Sequence, residues 1–116
     1  MNQDNKNKLL ERFPKEWFDR VSVEIGDGWF DIVYNLLEKI EPIAITLFEP
    51  KFKILQIKEK FGYLRIYTQH GANETIRAAI IQAERESGNT CEECGKVGTL
   101  RNGAWLKVRC DGCYKC

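Results

Sequence analysis

The sequence predicts an α+β fold, with helices packed on a small antiparallel sheet and a C-terminal hairpin closed by cysteines. Three observations carry this reading. Two segments, near 28–41 and 73–87, repeat apolar residues at helical spacing. Between them, KFKILQIKEKFGYLRIYT places two runs of β-branched and aromatic residues around a Lys-Phe-Gly break. All five cysteines lie between residues 91 and 116.

At the N-terminus, Met1 to Lys8 are polar and expected to fray, while Leu9, Leu10, Phe13, Trp17 and Phe18 suggest a short helix that restarts near Pro14. A short strand is expected at about 21–25. In the next helix Trp29, Ile32, Val33, Leu36, Leu37 and Ile40 share one face. Asp27 is placed to cap that helix and Pro42 to end it. Gly62 supplies the turn of the central hairpin, which directs Ile54, Leu64 and Ile66 inward and Lys58, Lys60 and Arg65 to water. In NETIRAAIIQAERES, Ile76, Ala79, Ile80 and Ala83 form the face of a second amphipathic helix that ends at Gly88. The organisation is therefore an α+β domain over 1–88 and a cysteine-paired ribbon over 89–116.

A chain of 116 residues is long enough for one core and too short for two. Hydrophobic residues at 43% and charged residues at 30% exclude a disordered or fibrous chain. There is no apolar run long enough to span a bilayer, and the polar start MNQDNKNKLLERF is unlike a secretory signal, so a cytoplasmic location is expected. The net charge of +1 hides a division: residues 16–49 hold eight acids and two bases, and residues 50–68 hold five bases and one acid. These blocks are either solvated faces of one fold, a basic binding strip at 50–68, or complementary surfaces of a homo-oligomer.

An odd cysteine count confined to the last 26 residues favours metal over disulfides in a reducing compartment. CEECG and CDGC, with fifteen residues between Cys94 and Cys110, have zinc-ribbon spacing. Asn102-Gly103 is a strong hairpin signal, and folding there brings the cysteine pairs together. Cys91, Cys94, Cys110 and Cys113 are thus the expected ligands of a structural Zn²⁺, with Cys116 an alternative to Cys113. Four thiolates leave no coordination position for water, which argues against catalytic metal. They also bring the ribbon's charge close to neutral. Trp105 either covers the ribbon's small core or shares a face with Lys107 and Arg109.

GDGW at 26–29, KEKFGYLR at 58–65, CEECG at 91–95 and GAWLKVRCDGC at 103–113 form an ordered set that resembles a family of small uncharacterised proteins encoded by bacteriophages and prophages. The resemblance covers about residues 22–113. Family members often have glycine where this chain has Tyr63, and histidine where it has Cys113. The resemblance implies a viral or prophage origin, hence the host cytoplasm, and a zinc ribbon. It carries over no catalytic residues.

Two further constellations are candidate binding surfaces. Asp27 and Trp29 open a helix, where free N–H groups can hold an anion, although the roles of N-cap and core aromatic account for them more simply. Lys58, Lys60 and Arg65 with Phe61 and Tyr63 have the composition of a phosphate and stacking surface, or of a solvated sheet face. His70 reads as a loop residue. Glu24, Asp27 and Asp31 are carboxylates with no sign of convergence, so no catalytic set is assigned. The reading is a non-catalytic zinc-binding accessory protein that binds a host or viral macromolecule, with modulation of host defence one such role. A nucleic-acid or nucleotide-binding module working through 50–68 is the alternative.

Overall fold

The computed structural model describes residues 1–47, 52–69 and 73–114. In chain order it contains helix α1 (Gln3–Arg12), strand β1 (Ser22–Glu24), helix α2 (Phe30–Leu47), strands β2 (Ile54–Lys60) and β3 (Tyr63–Thr68), helix α3 (Glu74–Ser87), and strands β4 (Thr99–Arg101) and β5 (Lys107–Arg109). Single 3-10 turns at Lys15–Phe18 and Asp27–Trp29 lead into β1 and α2. The α+β class is as the sequence predicts, and His70 and Cys116 lie outside the described residues.

The main sheet has the order β1-β2-β3. β2 and β3 form the expected antiparallel hairpin, with Lys60 opposite Tyr63 and Lys58 opposite Arg65. β1 adds a parallel edge, Val23 opposite Ile57, because the whole of α2 intervenes and returns the chain in the same direction. A bulge between Ile54 and Gln56 has a packing consequence. Without it, residues three apart would face opposite sides; with it, Ile54 and Ile57 are both fully buried. They join Leu64, Ile66, Trp29, Val33, Leu37 and Ile76 in the core.

Three local expectations change. First, α1 begins at Gln3, so the polar N-terminus is helical. Asn2 caps it by accepting the Asn5 N–H at 2.8 Å, and the Met1 nitrogen donates to the Ile25 carbonyl. Second, α2 runs through Pro42. Pro42 is exposed, so the Glu38 carbonyl it leaves without a partner is on a solvated side, while buried Ile40 and Ala44 hold both flanks of the helix to the core. Third, Asp27 does not cap α2. Its carboxylate accepts from the Asn2 backbone N–H at 2.7 Å and from the Asn2 and Asn5 side-chain amides at 3.1 Å, serving the start of α1.

α3 starts on Asn73, whose side chain accepts the Ile76 N–H at 3.0 Å. It packs along the outer edge of β3. There the Leu64 N–H donates to Ser87 Oγ at 2.9 Å and the Ile66 N–H to the Glu84 carboxylate at 3.3 Å. Side chains of a helix thus satisfy the strand's outward donors.

Candidate metal centre

The two cysteine pairs sit on tight turns at either end of the ribbon. In the first, Gly95 N–H donates to the Cys91 carbonyl at 2.9 Å and Gly95 adopts φ +83°, a conformation that glycine takes without strain. In the second, Tyr114 N–H donates to the Cys110 carbonyl at 2.9 Å. The strands between them pair Thr99 with Arg109 and Leu100 with Val108.

That register corrects the turn. A two-residue turn at Asn102-Gly103 would set Leu100 opposite Trp105, whereas residues 102–106 form a longer loop. Two anchors explain the difference: Val108 is fully buried, and its carbonyl accepts the Glu92 N–H at 3.1 Å. The demands of the core and the cysteine turns outweigh the local preference of an Asn-Gly pair.

The Sγ atoms of Cys91, Cys94, Cys110 and Cys113 all lie within 4.8 Å of one another, with Cys94 and Cys110 at 3.5 Å. A tetrahedral ion with metal–sulfur bonds of about 2.3 Å sets its sulfurs about 3.8 Å apart, so the four residues fit such an ion. The donor set is all thiolate, suited to a soft or borderline metal. Cys91 is prepared for ionisation: its burial opposes the charged form, but backbone N–H groups of Cys110, Cys94 and Glu93 outweigh that and lower its pKa to about 6. The Cys113 N–H likewise lowers Cys110. Cys113 is raised by sharing hydrogen bonds with Cys110 and Cys94. A bound cation would relieve that sharing by taking all four sulfurs as thiolates.

The cysteine turn is seated directly on the α+β body, and the GDGW segment is its seat. Gly28 N–H donates to the Glu92 carbonyl at 2.7 Å, Gly26 N–H donates to the Glu92 carboxylate at 2.9 Å, and Trp29 Nε1–H donates to the Thr90 carbonyl at 2.8 Å. A side chain at Gly28 would meet the Cys91 carbonyl at 2.0 Å, so only glycine allows this approach. Glu92 is only 9% exposed, and its second oxygen meets Arg109 Nη1 at 3.4 Å.

The candidate binding residues divide. Trp29 is 0% exposed and presents no surface; it is the core aromatic beneath the cysteine turn. Asp27 is committed to α1. Between residues 24–31 and 58–65, Glu24 pairs in register with Lys58, and Ile25, Trp29 and Leu64 share the buried core. Lys58, Lys60 and Arg65 alternate with the buried Ile57, Leu64 and Ile66, and Arg65 approaches Glu84 at 3.9 Å. Phe61 is 68% exposed at the hairpin tip.

Trp105 is 76% exposed and covers no ribbon core, a position that the register shift explains, since it lies in the loop and not on a strand. Of the two bases expected to share its face, Lys107 and Arg109, Arg109 is taken by Glu92 and Glu93; on the facing strand Arg101 pairs with Asp111 at 2.8 Å. Gly62 joins the two tips. A Cβ there would lie 2.6 Å from Leu100 Cδ1 and 3.4 Å from the Leu106 carbonyl carbon. The exposed Trp105 was not legible because the five-residue loop was not. Glu92 did carry a signal, as an acid inside a cysteine turn opposite a glycine pair. Comparison of the chain with family models, curated proteins and solved structures finds no match.

Proposed function

We propose that the protein is a non-catalytic, zinc-stabilised accessory protein of phage origin that binds a host or viral macromolecule, with modulation of host defence as one such role. The four-cysteine cluster supports the scaffold part of this reading: four thiolates complete a tetrahedral shell, leaving zinc no position for a reacting water. The partner-binding part rests on one observation. The hairpin tip and the ribbon tip touch through Gly62, and they carry two large aromatic side chains, Phe61 and Trp105, that are mostly in water. Exposed aromatics gathered on a braced surface are a feature of interaction sites.

The test is metal analysis followed by capture from expressing cells. Purified protein should hold about one zinc per chain. Wild-type protein should retain a partner that a Phe61→Ala/Trp105→Ala double variant loses, while that variant keeps its zinc and its melting temperature. Unchanged capture by the double variant would refute the binding surface. Cys110→Ser should lose the metal.

A further inference from the structure

We propose that Phe61 and Trp105 form a stacking platform for single-stranded nucleic acid, with Lys58, Lys60 and Lys107 as its phosphate contacts; this deepens the binding reading above by naming the partner.

Phe61 carries the first argument. It occupies φ 53°, the left-handed region, ahead of Gly62 at φ 90°, so the hairpin closes on a pair of positive φ angles. Asn, Asp or Gly takes the first of those positions at least cost, and a bulky residue there is strained. That ring gains little burial in compensation, being 68% exposed. Strain maintained at an exposed aromatic marks a position kept for contact with something else.

Proximity supplies the second argument. A Cβ on Gly62 would lie 3.4 Å from the Leu106 carbonyl carbon, which places the Cα atoms of the neighbouring Phe61 and Trp105 within about 14 Å of each other. At a rise of about 3.4 Å per nucleotide, a short stretch of one strand reaches both rings.

Charge supplies the third. Of the bases on β2 to β5, Arg65, Arg101 and Arg109 are held in ion pairs, whereas Lys58, Lys60 and Lys107 make none among the described residues. Lys60 Nζ stands 5.8 Å from the centre of the Phe61 ring. Glu59, the acid between Lys58 and Lys60, is occupied by the Gly62 N–H at 2.7 Å.

Lysines left free around exposed rings suit a phosphate backbone with unpaired bases. Protein interfaces, by contrast, are depleted of lysine at their centres. A duplex has its base faces already stacked, so it offers the rings nothing.

The experiment uses the zinc-loaded full chain and fluorescence anisotropy with labelled oligothymidylate, oligouridylate and a duplex of equal length. Single strands should bind more tightly than the duplex at low salt, and the first two probes distinguish DNA from RNA as the partner. Phe61→Ala and Trp105→Ala should each weaken binding about tenfold without changing the melting temperature. Single strands should also quench tryptophan fluorescence of the wild type, and Trp105→Phe should retain affinity and lose that quenching, since Trp17 and Trp29 are buried. Neutralising Lys58, Lys60 or Lys107 to Gln should each reduce the slope of log affinity against log salt by about 0.7.

Absence of single-strand binding, equal affinity for duplex, or indifference to both Ala variants overturns the proposal. If oligonucleotides fail but a protein is captured through Phe61 and Trp105, the nucleic-acid inference falls and the binding reading stands. A dimer at low salt that either Ala variant dissociates, in protein that binds no oligonucleotide, also overturns it by assigning the surface to a second copy.

Discussion

Replacing Gly28 with alanine tests how strongly the cysteine turn depends on the α+β body. The added Cβ would lie 2.0 Å from the Cys91 carbonyl oxygen, 2.6 Å from Gly95 N and 2.7 Å from the Glu92 carbonyl carbon. All three are backbone atoms, so no change of rotamer relieves the clash. Restoring ordinary contact moves the turn by about 1.4 Å. That displacement breaks both the 2.7 Å bond from Gly28 N–H to the Glu92 carbonyl and the 2.9 Å bond from Gly26 N–H to its carboxylate. At about 1 kcal/mol per hydrogen bond, with 1–3 kcal/mol for overpacking, the variant loses about 3–5 kcal/mol. For a domain of this size that is a fall in Tm of about 12–20 °C.

Circular dichroism melts of the zinc-loaded protein measure the fall, and chelator competition measures a loss of about tenfold or more in zinc affinity, because the displaced atoms orient the ligands. Gly103→Ala is the control: its Cβ finds nothing closer than 3.9 Å, so its effect stays within about 0.5 kcal/mol. A Gly28→Ala melt within about 2 °C of wild type would refute the coupling.

Three further outcomes follow from the same geometry. Ser87→Ala removes the acceptor of the Leu64 N–H and leaves that buried donor unpaired, which should cost about 1–3 kcal/mol in urea unfolding and speed amide exchange at Leu64. Asp27 is held below its ordinary pKa, first by the Asn2 backbone N–H and also by the Asn5 amide. Its contribution is therefore complete above the unfolded value and is lost as pH falls through the lower folded value, so Asp27→Asn should flatten the decline in stability below about pH 4. Removal of metal by a chelator should lower Tm and quench the near-ultraviolet signal of the ribbon. Purified without chelator, Cys91→Ser should bind no zinc and Cys116→Ser should keep one equivalent, a loss by Cys116→Ser assigning the fourth ligand to Cys116.

The two amphipathic helices, the central hairpin and the cysteine cluster were legible because each depends on spacing within a short segment. Ile76, Ala79 and Ala83 recur at the helical period whatever lies opposite them, and a CxxC turn requires only its own backbone. The features that escaped reading depend on partners distant in sequence. Asp27 looks like a cap for the helix it precedes, yet its acceptors are filled by Asn2 and Asn5 across 25 and 22 residues. Pro42 is a helix breaker by local rules and is overruled by the burial of Ile40 and Ala44. Asn102-Gly103 yields to a register fixed by Val108 in the core. The GDGW and CEECG motifs are readable separately, but that each is the other's packing surface becomes visible only in three dimensions.

The placement of α3 along β3 has a consequence for solution behaviour. A sheet's outermost strand ordinarily offers unpaired donors on which another chain can polymerise. Here Ser87 and Glu84 already occupy the donors of Leu64 and Ile66, so a foreign strand would have to displace a helix before it could add. The opposite margin, β1, is only three residues long, too brief to seed a stable intermolecular ladder. The sheet is thus closed to strand-by-strand aggregation on one side by helix side chains and on the other by brevity, leaving its hairpin tip free to remain exposed at high concentration.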